Sequence, residues 1–171
     1  KNRRIKNQHS MKNILAGVDE VGRGSLIGPV FAAAVIFKKN IDTKKIKDSK
    51  KLSKEKRNAL EKYIKKNSIW SIGSASLSEI EKLNILNASL LAMKRSVKKL
   101  KLKPTITLID GNKLPDMNGY KLKSVIKGDQ KISEISAASI IAKVARDRLI
   151  KKMSKKFKKY AWDKNAGYGT K

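Results

Sequence analysis

Four carboxylates in this sequence stand where neither a helix surface nor a loop accounts for them. Asp19 and Glu20 are adjacent at the end of the apolar run ILAGV, Asp110 ends TITLI, and Asp129 sits in SVIKGDQ just ahead of the last long helical pattern. Most of the other acids, including Glu55, Glu61, Glu79, Glu81, Glu134 and Asp147, fall among lysines as ordinary helix partners or caps. Two like charges crowded at the mouth of an apolar segment are costly unless a cation or a proton neutralises them. The chain has no cysteine, and its one histidine, His9, lies in a polar stretch before Met11 and reads as solvated. That removes thiolate ligands, thiol nucleophiles and imidazole bases together. Carboxylate oxygens suit the hard divalent cations Mg²⁺ and Mn²⁺. Two such ions about 4 Å apart can activate a water and stabilise the leaving oxygen in phosphodiester hydrolysis. The plainer alternative is that Asp19 and Asp110 only end strands, Asp110 with Gly111 being a common turn pair.

Positioning these groups requires strand ends that meet. ILAGVD (14–19) and PVFAAAVIF (29–37) are short apolar runs bounded by glycine or proline, as strands of a buried sheet are. The loop GRGSLIG lies between them, and DTKKIKDSKK follows as a second loop. Ser53 is placed to cap the helix KEKRNALEKYIKKN, and SIWSIGSASL (68–77) returns as a strand. Ser78 with Glu81 matches a capping box ahead of the amphipathic helix NASLLAMKRSVKKL (87–100). Pro104 opens the strand TITLID (105–110), and YKLKSVI (120–126) alternates. Residues 133–157 carry Ile135, Ala138, Ala142, Ala145, Leu149 and Met153 on one stripe, with lysines opposite. The pattern predicts an α/β fold, a mixed sheet with helices packed on it, whose strand ends form a ligand crevice where the strand order reverses.

Composition narrows the partner. The 171 residues, 40% of them hydrophobic, suffice for one domain with a core. No stretch approaches the roughly 20 apolar residues of a membrane span, and the basic start KNRRIKNQHS has no apolar segment behind it, so a cytoplasmic protein off the membrane is expected. The net charge is +28, from 42 basic residues of which 35 are lysine. Codon bias is one source of such an excess. Either way the surface attracts polyanions with a steep salt dependence, which makes nucleic acid the default partner.

Six segments in order carry a resemblance: GVDEVGRGSLIGPV (17–30), DSKKLS (48–53), LNILNASLLAMKRSV (83–97), LIDGNKLP (108–115), KGDQKISEISAASIIAKVARD (127–147) and GYGT (167–170). With them the chain resembles the bacterial ribonuclease HII family, the type 2 ribonucleases H, over residues 12–171. The resemblance implies a ribonuclease H-like mixed sheet flanked by helices, with a C-terminal helical segment. It also implies a monomeric endonuclease using Mn²⁺ or Mg²⁺, which cleaves the RNA strand of RNA/DNA hybrids and nicks 5′ of ribonucleotides embedded in DNA. Asp19, Glu20 and Asp110 fall on the family's metal ligands and Asp129 on its fourth active-site carboxylate. Gly22, Arg23 and Gly24 form the turn that reads the ribose, where glycines let backbone groups approach a 2′-OH. Tyr168 falls against the adjoining deoxynucleotide sugar, and Ser49, Lys50 and Lys51 of DSKKLS on the substrate phosphates.

Two departures accompany the match. Ser25 stands where the family commonly has proline, which affects the stiffness of the loop, and the sequence stops just after GYGT where relatives continue with a helical segment. Residues 1–11 match nothing and are expected to form a disordered basic extension. In an ideal strand Asp19 and Glu20 point to opposite faces, so both reach one metal centre only if the chain twists there or Glu20 adds its carbonyl. Arg146 and Asp147 are expected to be structural, pairing within or beside their helix. A non-enzymatic basic binder would leave the strand-end acids unexplained; another nuclease on the same fold would differ only in substrate.

Overall fold

The computed structural model describes residues 13–25, 27–47 and 52–156. Five strands, β1 (Leu15–Val21), β2 (Val30–Phe37), β3 (Ser68–Ala75), β4 (Ile106–Asp110) and β5 (Leu122–Val125), form one sheet in the order β3-β2-β1-β4-β5. β1, β2 and β3 pair antiparallel, whereas β1–β4 and β4–β5 are parallel. The chain therefore builds outward from β1 first to one side and then to the other. The β1/β4 pair is the switch point, the place where an α/β sheet opens a crevice beyond its strand ends.

Helices cover both faces. α3 (Leu77–Lys99) packs Ala88, Ala92, Met93 and Val97 against Val18, Val30, Ala32, Ala34 and Ile109. On the opposite face α2 (Lys54–Lys66) and α5 (Ser133–Lys156) pack Leu60, Ile64, Ile140, Ile141 and Val144 against Ala33 and Val35. Alternation along β2 sends Ala32 and Ala34 to one core and Ala33 and Val35 to the other, so both helical layers approach a strand of small side chains. Each fully buried Ile or Val here contributes about 2 kcal/mol of burial.

The structure refines several expectations. Part of the loop after β2 is a helical turn, α1 (Lys44–Lys47). Ser53 caps α2 as expected, its hydroxyl accepting from Lys56 N–H. The capping box of α3 is Ser76 with Glu79, two residues before the expected Ser78 and Glu81. SLSEIE holds two overlapping S-x-x-E patterns. β3 ends at Ala75, and only the earlier box lets Glu79 also receive two hydrogen bonds from Arg95, at 2.6 and 2.7 Å. α3 breaks at Asn84, whose backbone is left-handed (φ 69°) and whose side chain accepts from Asn87 N–H to restart the helix. The α5 stripe departs from the expected one beyond Ala142. Arg146, Ile150 and Ser154 are buried, while Ala145, Leu149 and Met153 are half-buried. Steps of four residues trace a row inclined to the helix axis, which shifts the buried face along the second half of α5. No helix among the described residues is long and apolar enough to cross a membrane.

Candidate active site at the β1/β4 strand ends

Register brings the first carboxylates together. Val18 lies beside Ile109 across the parallel β1/β4 pair, so the next residues along, Asp19 and Asp110, adjoin at the strand ends. Val18 and Ile109 both face the α3 core; alternation therefore turns Asp19 and Asp110 to the α5 face. Gly17 lets α5 sit this close: a Cβ there would lie 2.3 Å from the backbone of Glu134. Ser139 of α5 hydrogen-bonds Asp19, and Glu20 N–H donates to Asp19 Oδ1 at 2.7 Å. Glu20 forms an ion pair with Arg23 at 3.3 Å, and its carboxylate stays near enough to Asp19 and Asp110 for their charges to act on one another.

Asp110 is fixed from beyond β5. Lys127 adopts a left-handed backbone (φ 53°) ahead of α4 (Gly128–Lys131), and this turn aims Gly128 N–H at Asp110 Oδ1, 2.6 Å away. A Cβ on Gly128 would meet Ile135 Cδ1 at 2.5 Å and the same carboxylate oxygen at 3.2 Å, so the turn has no room for a side chain. Asp129 follows in the first turn of α4, one residue from the group that holds Asp110, and lines a small cavity with Ile132 and Ser136.

The electrostatics are those of acids crowding one another. Burial holds the Asp19 carboxyl well above the usual range; the charges of Glu20 and Asp110 push the same way, against the hydrogen bonds from Ser139 and Glu20 N–H. Burial also raises Glu20, and Asp110 adds to this while Arg23 opposes it. Nearby, Glu134 is raised by burial. An all-oxygen donor set whose charges repel one another fits a hard divalent cation. In the present conformation each acid is turned to a protein partner, and among the described residues no three acids or histidines stand together as a ready-made cage.

The turn after β1 begins two residues beyond Glu20. Ser25 N–H donates to Gly22 O at 3.2 Å, closing a four-residue turn with Arg23 and Gly24 exposed at its tip. Gly22 has a left-handed backbone (φ 104°), a conformation that favours glycine. Arg146, expected beside Asp147, instead reaches this turn and donates to Ser25 Oγ and Ile27 O. Asp147 pairs with Arg57 at 3.8 Å. Ser49, Lys50, Lys51 and Tyr168 lie outside the described residues, as does the 1–11 extension. Three contributors to the site escaped the reading of the sequence: Ser139, the Gly128 amide and Arg146. The one signal for Arg146 was its place four residues after Ala142 and eight after Ala138, on a buried row.

A family model described as Ribonuclease HII matches residues 16–171. The chain is 72% identical over 158 residues to a ribonuclease HII of Pelagibacter ubique (strain HTCC1062), covering 92% of this chain and 85% of that one. Among solved structures it is similar to the ribonuclease H2 of Pyrococcus horikoshii OT3, with 25% identity and a TM-score of 0.79 over 91% of this chain and 81% of that one. It also shares the fold of a Bst-RNase HIII crystallised with Mn²⁺, at 21% identity and a TM-score of 0.72 over 86% of this chain and 56% of that one.

Proposed function

The chain belongs to the ribonuclease HII family and is an endoribonuclease of the ribonuclease H type; from that premise we propose that it is metal-dependent, cuts the RNA strand of RNA/DNA hybrids and nicks duplex DNA 5′ of an embedded ribonucleotide, leaving 3′-OH and 5′-phosphate ends. The observation that carries this reading is the adjoining of Asp19 and Asp110 at the β1/β4 switch point, with Glu20 near enough for the charges of the three acids to act on one another. The working role is removal of ribonucleotides and RNA primers from DNA, by a cytoplasmic monomer whose residues 12–171 form the catalytic domain behind a basic extension at 1–11.

In this reading Asp19, Glu20 and Asp110 hold the divalent ion, Mg²⁺ or Mn²⁺, with Asp129 as the fourth carboxylate. Bound there, the metal would supply Lewis acidity and a lowered water pKa for phosphodiester hydrolysis. The chain supplies the rest. Ser139 and the Gly128 amide hold Asp19 and Asp110 at the strand ends, from which their free oxygens would be drawn toward a bound cation. Arg23 neutralises Glu20 until the cation does. The exposed backbone at Arg23 and Gly24 meets the 2′-OH, the group that distinguishes RNA from DNA. Ser49, Lys50, Lys51 and the wider lysine surface track phosphates, and Tyr168 packs on the neighbouring sugar.

The test is a DNA duplex carrying one ribonucleotide, incubated with Mg²⁺ or with EDTA beside a full RNA/DNA hybrid. Cleavage on the 5′ side in Mg²⁺ alone is expected. Cutting restricted to the hybrid would sink the nicking activity, and cutting in EDTA would sink the metal.

A further inference from the structure

We propose that Arg146 is the positioning residue of the turn after β1, holding residues 22–25 in the geometry that meets the ribose; the inference rests on the reading of that turn as the ribose contact. Arg146 is 1% exposed and the largest fully buried side chain among the described residues. Its guanidinium donates to Ser25 Oγ and, at 3.0 Å, to Ile27 O. Its stem lies under Gly22, where a Cβ would come within 2.8 Å of Nε and 3.2 Å of Cδ. One side chain thus touches the start and the end of the turn and Ile27 beyond it. Ser25 relays the contact, since its hydroxyl also donates to Ile27 O at 2.8 Å and its N–H closes onto Gly22 O.

Stability alone does not call for an arginine here, because a buried cation is costly and apolar side chains of similar volume often replace one without loss. The planar fork offers what they cannot: several donors at fixed angles, which set the relative positions of the acceptors they bind. The exposed tip, Arg23 and Gly24, lies between the fixed points at Gly22 and Ser25. Ser25 provides the hydroxyl that accepts from Arg146 at the closing end of this turn.

The experiment compares wild type, Ser25→Ala, Arg146→Lys and the double variant. Three quantities are measured: the melting temperature, kcat/KM on a duplex with one embedded ribonucleotide in Mg²⁺, and metal-free affinity for the all-DNA duplex of the same sequence. Each single variant should lose about tenfold in kcat/KM while its all-DNA affinity holds. The double variant should be no worse than Arg146→Lys, because both changes act through one contact. All-DNA affinity falling in step with cleavage would mean general loosening and would overturn the proposal, as would single variants that match wild type. Ser25→Ala keeps Arg146 in place and decides the question if Arg146→Lys fails to fold. Wild type that cuts the hybrid but ignores the single ribonucleotide would instead overturn the ribose reading itself.

Discussion

Asp19 and Glu61 are both carboxylates sealed inside this protein, 5% and 1% exposed, and their surroundings drive them in opposite directions. Burial pushes each acid upward. At Glu61, hydrogen bonds and charge from Arg148 and Lys65 outweigh it, and the group is lowered. At Asp19 the neighbouring charges are Glu20 and Asp110, and the group is raised. Arg148 grips Glu61 with its two terminal nitrogens, at 3.0 and 3.1 Å, fastening α5 to α2. The chain neutralises Glu61 with its own cations, whereas Asp19 has like charges beside it, which in the proposed reading a bound cation would offset. Burial by itself therefore does not mark a functional acid; the sign of what surrounds it does.

The sharpest way to break this contrast is to remove one acid from each region. Asp110→Asn should cut the rate of cleavage by at least about a thousandfold, since it removes a proposed metal ligand, while duplex binding holds or tightens. Circular dichroism should be unchanged, and a folded variant that cleaves at the wild-type rate would end the metal-site reading.

Glu61→Ala should show the reverse. It costs about 2 kcal/mol by leaving two cations without their acceptor, seen as a melting temperature lower by about 6 °C. Below that melting point kcat should stay at the wild-type value. A large loss of kcat would erase the distinction between the regions.

A smaller effect sharpens the comparison from the other side. Relieving like-charge repulsion should make metal-free Asp19→Asn melt about 3 °C above wild type. Mg²⁺ should raise the melting temperature of wild type and move the variant far less. A variant that melts lower than wild type and still responds to Mg²⁺ would show that the acids do not repel one another as described.

The smallest effect concerns a half-buried pair at the start of α3. Hydrogen bonds from Arg95 and from the Ser76 backbone hold Glu79 down to about 2. Because its folded value lies below the ordinary one, its contribution is present above the ordinary pKa of about 4.5 and fades as pH falls toward about 2. Glu79→Gln keeps a capping acceptor but loses the charge. Its melting temperature should fall slightly short of wild type at neutral pH and converge with it in acid; a gap that persists at low pH would assign the effect to the cap.

Much of this architecture follows from short-range pattern. Short apolar runs bounded by glycine, proline or an acid marked β1, β2 and β4, because strand burial is written in consecutive residues. Sorting the acids by local context singled out Asp19, Glu20 and Asp110, because helix-surface acids come with lysine neighbours and strand-end acids do not. The same locality led to Ser78 and Glu81 where the cap is Ser76 and Glu79: two boxes fit the sequence, and Arg95, sixteen residues on from Glu79, selects between them.

What the sequence determined by itself was the chemistry available: oxygen ligands without thiols or a core imidazole, a surface for polyanions, and a mixed sheet to carry the acids. The tertiary structure decided which acids meet and what holds them. Asp19 adjoins Asp110 only because β1 and β4, some 90 residues apart, pair in parallel with Val18 beside Ile109. Asp110 is held by a backbone amide and Arg146 grips a turn 121 residues away. Such contacts join groups whose separation along the chain carries no periodic signal, and a backbone N–H is present at every residue but proline. Their identity is fixed only when the fold brings one of them to a particular carboxylate.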